Sequence, residues 1–395
     1  MAKDTISQYL QVYAEAESRN PALINIRYAD AVLVIPAYME STKFLDRLAQ
    51  QTFSDISRLL LILVSNHPHN LSNVDRQAAI ECHSGIQNAL PKPQWQHMNL
   101  SYHIGPSLDV LLVDRNEPQE IDEKQGVGLA RKIGVDMALS LIDKKKIKLP
   151  WIFTTDADVH LPKSYFSAVP FVEAETAAFV YPFRHTGKEN SVHEATKLYE
   201  LRLGAYVEGL KYARSPYAFQ TLGSTLCISP KRYAQARGFP KRNAGEDFYL
   251  LNKLAKLGQI GSLKQPIIEI ESRCSDRIPF GTGPAVSALV ASSESHSEKI
   301  FYDPKVFEML KTFIELLDTG SIEDELEHLP SQIQQAAEHI NIDILLKHLD
   351  SQKLTGKRYR DHVHLWFDGF RTLKFLHFLR DNYFPNISYY ERYPK

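Results

Sequence analysis

Four continuous apolar runs mark the first 160 residues: AVLVIPAY (31–38), SRLLLILVSN (57–66), LDVLLVD (108–114) and PWIFTTDAD (150–158). Unbroken rather than alternating apolarity suits parallel strands that are covered on both faces. Between the runs the period becomes helical, over 41–51, 73–90 and 126–143, the last with Ala130, Ile133, Met137 and Leu141 at helical spacing. Strand–helix alternation of this kind predicts an α/β fold, a mostly parallel sheet flanked by helices with right-handed crossovers. Residues 91–107, with three prolines and two histidines, read as an irregular insertion. A long helix is expected over 191–213, and beyond about residue 285 the chain turns helical and charged. There Asp303-Pro304 reads as an N-cap with proline at the first helical position, and 321–351 and 358–382 continue the pattern.

Ligands of such sheets collect beyond the carboxyl ends of the strands. Pro36–Glu40, Asn66, Asp114 and the pair Asp156 and Asp158 all fall there. On an extended chain i and i+2 share a face, so Asp156 and Asp158 are expected to point the same way, about 6–7 Å apart at Cα. Two like charges at a strand end call for a counter-charge. A hard divalent cation, Mg²⁺ or Mn²⁺, held by one or two carboxylates and completed by phosphate and water, satisfies that need and points to a diphosphate substrate. A solvated turn is the plainer alternative.

Charge and composition narrow the choice. The formal net charge is −1 over 395 residues and the pI is about 7.0, which argues against a nucleic-acid partner or a polybasic membrane anchor. Cys82, Cys227 and Cys274 form no Cys-x-x-Cys pair, which suits a reducing compartment. No window reaches the eighteen or so apolar residues of a membrane span, and the N-terminus lacks a signal-peptide stretch. A soluble, cytoplasmic protein is expected. Its oligomeric state is not legible.

The second informative segment is GSTLCISPKRYAQARGFPKRNAGEDFYLLNKLAKLG (223–258), where Glu246 and Asp247 open an amphipathic helix. Acids in a first turn favour the helix dipole. A carboxylate beside a metal diphosphate can instead take a proton from an acceptor hydroxyl. The spacing leaves both readings open. SRCSDRIPFGTGP (272–284) offers Asp276 as a third metal ligand and Arg273 or Arg277 as a phosphate clamp, or simply a loop with an internal ion pair. His362, His364 and His377 lack metal-ligand spacing on a helix and read as structural.

Taken together, AVLVIPAYMES, QGVGLARKIGVDMAL, FTTDADVHLP and GSTLCISPKRY…GFPKRNAGEDFYLL resemble, in order and spacing, the signatures of family 2 glycosyltransferases of the GT-A fold, over about residues 30–285. The resemblance implies a GT-A catalytic domain at 30–285, between an N-terminal helical segment at 1–29 and a helical C-terminal extension at 286–395. It implies transfer of a sugar from a nucleotide diphosphate sugar to an acceptor hydroxyl, metal-dependent and inverting. Pro36, Ala37, Tyr38 and Glu40 would line the base and ribose, Asn66 would recognise the base, and Arg131 would lie near the donor. Asp156 would sit by ribose and metal, and Asp158 would bind the metal. Asp247 would match the catalytic base with Glu246 its neighbour at the acceptor, while Gly223 and Ser224 would let backbone approach the donor sugar.

The chain departs from the pattern at Met39 and Lys132, each where the family usually has Asn, and at Asn66, where an acidic residue is typical. It lacks the Gln-x-x-Arg-Trp motif of processive membrane-embedded members, which fits a soluble enzyme that adds single sugars. A Mg²⁺-dependent phosphohydrolase with Asp156 as nucleophile, and a non-catalytic nucleotide-sugar-binding protein, are the rival readings.

Overall fold

A computed structural model describes residues 4–116, 118–170, 175–275, 281–292 and 295–394. In chain order the described strands are β1 (Ala31–Ala37), β2 (Leu59–Asn66), β3 (Pro93–His97), β4 (Leu100–His103), β5 (Leu108–Arg115), β6 (Ile152–Thr154), β7 (Val159–His160), β8 (Thr176–Val180), β9 (Phe183–Thr186), β10 (Leu226–Ile228), β11 (Gln259–Ser262) and β12 (Ile268–Glu271). Nine of them form one sheet in the order β11-β8-β10-β6-β1-β2-β5-β4-β3, and β7, β12 and β9 form a second, small one.

The four apolar runs become the heart of the large sheet. β6, β1, β2 and β5 are neighbours and run parallel. Their side chains are buried almost throughout, as continuous apolarity requires. Helices Lys43–Gln50 and Asn73–Ala89 supply Phe44, Leu45, Leu48 and Ile86 to a core shared with Leu33, Leu61, Leu63 and Phe153. Helix Gly126–Asp143 packs on β1 and β2, where a Cβ at Gly134 would collide with the side chain of Val34.

Antiparallel pairs flank this parallel centre. β10 sits between β6 and β8 and opposes both, while β4 opposes β5 and β3. The hairpin β3–β4 occupies the stretch expected to be irregular. Its outer strand is exposed at Pro93, Gln94, Gln96 and His97, so no apolar alternation marks it, and proline is tolerated there because the strand lies at the sheet edge.

The chain packs as two compact units. One, chiefly Met1–Gly187 and Thr221–Ser272, holds both sheets. The other, chiefly Lys188–Gln220 and Thr282–Lys395, is helical. Along the sequence the two units alternate: helix Ser191–Tyr212 belongs to the helical unit, and the segment before β1 to the unit that holds the sheets. In the helical unit Phe313 stacks on Phe375 at 4.7 Å, amid Leu317, Leu376 and Leu379. Asp303 caps helix Pro304–Thr319 by accepting the Lys305 N–H at 2.9 Å. His364 pairs with Asp318 at 2.9 Å, His362 meets His348 at 3.2 Å, and His377 stacks on Tyr302. No helix among the described residues is long and apolar enough to cross a membrane.

Candidate active site

β6 pairs with β1 only through Phe153 and Thr154. One further bond, from the Thr155 N–H to the Val34 carbonyl at 3.0 Å, carries the chain past the sheet. It then turns, the Asp156 carbonyl accepting from the Val159 N–H at 3.3 Å, and re-emerges as β7 in the small sheet. Asp156 and Asp158, both half-buried, therefore stand in the turn that joins the two sheets. They are not on one face of an extended strand, because β6 has lost its neighbour before it reaches them.

Arg131, in the first half of helix Gly126–Asp143, is 2% exposed and directs its guanidinium into this turn. Its Nη2 donates to Asp156 Oδ1 at 2.7 Å, its Nε to Glu246 Oε1 at 3.1 Å, and its Nη1 to Thr154 Oγ1 at 2.8 Å. A Cβ on Gly223 would sit 2.8 Å from Nη2, so glycine lets the 223–225 turn close over the guanidinium. The Thr155 hydroxyl fastens that turn by donating to the Ser224 carbonyl at 2.8 Å. Burial opposes the charge of Arg131, but Asp156, Glu246 and Asp247 outweigh it and hold the guanidinium firmly protonated.

Glu246 and Asp247 open helix Glu246–Leu254 after Gly245, whose φ of 70° turns the chain in the left-handed region where glycine is unstrained. Glu246 is buried, and burial raises its pKa against the pull of Arg131. Asp247 is half-buried and its Oδ1 accepts the Phe248 N–H at 2.7 Å. Burial first, and the Glu246 charge second, push Asp247 up to about 7, although the Phe248 and Gly223 N–H groups and Arg131 favour its ionised form. A carboxylate poised near neutrality is what proton abstraction at physiological pH requires.

The structure thus joins Arg131, Asp156, Gly223, Ser224, Glu246 and Asp247 in one connected set. Pro36 and Ala37 end β1 and Tyr38 and Glu40 follow it, one strand away from β6. The Glu40 N–H donates to Cys82 Sγ at 3.3 Å. Asn66, at the end of β2, is only 7% exposed, and its Nδ2 donates to the Ala37 carbonyl at 3.2 Å and the Val64 carbonyl at 3.1 Å. Both amide hydrogens serve the backbone. Asp276 and Arg277 lie outside the described residues, and Arg273 belongs to the helical unit.

Two clusters near the strand ends were not legible. His83 bridges Ser65 Oγ at 3.0 Å and Asp114 Oδ2 at 3.3 Å, a Ser–His–Asp chain whose serine is 1% exposed and out of reach of a substrate. Burial works against the Asp114 charge, but His83 and Asn116 overcome it and hold the carboxyl below its ordinary value. The other is Arg47, which reaches the Asp156–Asp158 turn from helix Lys43–Gln50. Nothing local in the sequence marks either, since their partners lie 18 to 224 residues away.

A divalent cation fits this donor set in part. Four carboxylates, Asp156 and Asp158 in the turn and Glu246 and Asp247 beside it, stand with the guanidinium of Arg131, while Arg47 spends its Nη2 on turn carbonyls, so hard oxygen donors are in place. Among the described residues no group of three or more His, Cys, Asp or Glu side chains gathers as a complete metal cage. Two hard carboxylates with the remaining positions left to phosphate and water match Mg²⁺ or Mn²⁺ better than a soft metal.

No protein-family model matches the chain, and no curated protein matches it. Among solved structures it is similar to a crystal structure of GalNAc-T7 with UDP, GalNAc and Mn²⁺, at 12% identity and a TM-score of 0.35. That match covers 80% of this chain and 57% of the other, so the chain spans little more than half the length of the protein it matches. The likeness is too distant to carry residue correspondences. The chain itself is a mixed α/β protein with a large central sheet flanked by helices and a helical C-terminal region.

Proposed function

We propose that this chain is a glycosyltransferase that moves a sugar from a nucleotide diphosphate sugar to an acceptor hydroxyl. The observation that supports this best is the double grip of Arg131, which ties Asp156 to Glu246, a residue 115 positions beyond Arg131 itself. It sets carboxylates suited to a metal diphosphate beside carboxylates suited to an acceptor. In this reading Asp156 and Asp158 hold Mg²⁺ or Mn²⁺, which when bound neutralises charge on the leaving diphosphate. Arg131 orients Asp156 and adds a fixed positive charge near the donor. Pro36, Ala37, Tyr38 and Glu40 flank the nucleoside from the end of β1, and Gly223 and Ser224 bring backbone toward the sugar.

Asp247 accepts the acceptor's proton as the oxygen attacks the anomeric carbon, and a single displacement of this kind inverts configuration. Glu246, held by Arg131, positions the acceptor. Hydrolysis through an Asp156 nucleophile is less well supported, because it leaves Glu246 and Asp247, gathered around the same guanidinium, without a role. Three free cysteines, two of them buried, suit a cytoplasmic setting.

The test is incubation with labelled nucleotide sugars, with and without Mn²⁺, followed by product analysis with a panel of hydroxyl acceptors. Transfer that depends on metal supports the reading, release of free phosphate would favour the hydrolase, and binding without turnover would favour a sensor. Asp158→Asn should abolish metal-dependent nucleotide binding with the fold intact. Unchanged calorimetric affinity in that variant would remove Asp158 from the metal site.

A further inference from the structure

Resting on the reading above, we infer that Arg47 is the positioning residue of the Asp156–Asp158 turn, fixing the direction of Asp158 and so the affinity for the divalent cation. Three successive carbonyls of this turn are held from outside it. Arg47 Nη2 donates to the Ala157 carbonyl at 3.0 Å and to the Val159 carbonyl at 3.1 Å, one on each side of Asp158. The carbonyl of Asp158 itself accepts the Glu271 N–H of β12 at 3.0 Å. With the peptide groups on both sides of Asp158 fixed in this way, its Cα–Cβ bond has one direction.

The side chains continue the clamp. Glu271 Oε1 receives Arg47 Nη1 at 3.4 Å and His160 Nε2 at 2.9 Å. Glu271 is about half exposed, so this outer arm is screened, and the two carbonyl bonds carry the effect. Arg47 itself sits on a helix whose Phe44, Leu45 and Leu48 are locked in the core, so the guanidinium is delivered from a rigid support. The clamp matters because two carboxylates without a third described protein ligand leave the ion's position to the turn. A lysine has the charge, but its nitrogen lies one bond nearer the backbone than Nη2, and it has no second nitrogen to reach Glu271 while the first holds both carbonyls.

The experiment is calorimetric titration of UDP and of GDP at stepped MnCl₂ concentrations, for the intact chain and for Arg47→Met, Arg47→Lys and Glu271→Gln, alongside steady-state kinetics. Loss of a group that orients a metal ligand typically costs about 10–100-fold in metal affinity. Arg47→Met should therefore raise the Mn²⁺ concentration for half-maximal nucleotide binding by about tenfold or more, and leave metal-free nucleotide binding and the acceptor KM unchanged. Arg47→Lys should raise it by about threefold or more, and decides the matter if the methionine variant does not fold. Glu271→Gln, which keeps both carbonyl bonds, should stay within about twofold.

A merely structural arginine would lower the melting temperature without moving the Mn²⁺ dependence. If the unaltered chain binds neither these nor any other nucleoside diphosphate in a metal-dependent way, the proposed function falls and takes this inference with it. If it does, and both Arg47 variants keep its Mn²⁺ half-saturation within about twofold, the clamp alone is refuted.

Discussion

At the scale of single residues, the most exacting claim concerns Asp247. Proton transfer by a placed base contributes about 10²–10⁴-fold to rate, and this carboxylate need not touch the donor. Asp247→Asn should depress turnover by about that factor and leave nucleotide-sugar affinity nearly constant. If the acids at 246–247 serve only the helix dipole, turnover stays near normal and stability falls by about 1 kcal/mol or less. The pH dependence separates the two further. With the folded-state value raised to about 7, the base form fills as pH rises through neutrality, so kcat/KM should climb through that range. For stability the sign runs the other way. A raised carboxyl favours the folded state only while protonated, and that contribution is lost as pH rises through about 7. Asp247→Asn should therefore melt higher than the unaltered chain at pH 8 and close to it near pH 4, with about 2–4 °C for each kcal/mol gained. A lower melting temperature at pH 8 would contradict the raised value. Asn66 carries a different lesson: the family resemblance implied base recognition, and its amide nitrogen donates to two backbone carbonyls.

Whole elements were legible where burial is total and illegible where hydrogen bonding alone decides. Helix Gly126–Asp143 begins and ends where its periodicity placed it, and β1, β2 and β5 coincide with their apolar runs, since both faces of each strand must be covered. The hairpin β3–β4 and the turn after β6 were not, because one is exposed and the other is set by partners far along the chain. Lys132 shows why a departure from a signature need not be functional. Its ammonium lies 2.6 Å from Asp136 Oδ2, and Tyr9 and Tyr233 donate to Asp136 Oδ1 at 2.6 and 2.8 Å. The Glu15 N–H completes the set at 2.8 Å, so the segment before β1 is pinned to this helix by a buried ionic network. Breaking a buried pair leaves an uncompensated charge. Asp136→Ala should cost about 3–5 kcal/mol in denaturant unfolding, whereas the double change Lys132→Met with Asp136→Leu should recover much of that. Equal losses in the single and double variants would mean that packing, not charge, holds the segment.

Across the whole molecule there are two compact units with separate cores, and the site proposed for the nucleotide lies in one of them. Every residue joined to Arg131 belongs to the unit that holds the sheets. The core of the helical unit, around Phe313, Phe375 and Leu379, contributes no side chain to that set. A ligand that binds the native state suppresses local opening where it binds, and hydrogen exchange reads that suppression segment by segment. With a nucleoside diphosphate and Mn²⁺ present, peptides covering 36–42, 152–160 and 223–225 should exchange more slowly, and so should the start of helix Glu246–Leu254. At about 100 times the dissociation constant the native state gains about 2.7 kcal/mol, which slows exchange through ligand-releasing openings by about a hundredfold. Helices Pro304–Thr319 and Gly369–Asn382 should keep their rates. The Asp158→Asn variant supplies the control: under the same conditions its sheet-end peptides should exchange as they do without ligand. Protection confined to the helical unit, or protection that survives in Asp158→Asn, would place the nucleotide away from the ends of β1 and β6 and overturn the site proposed for it.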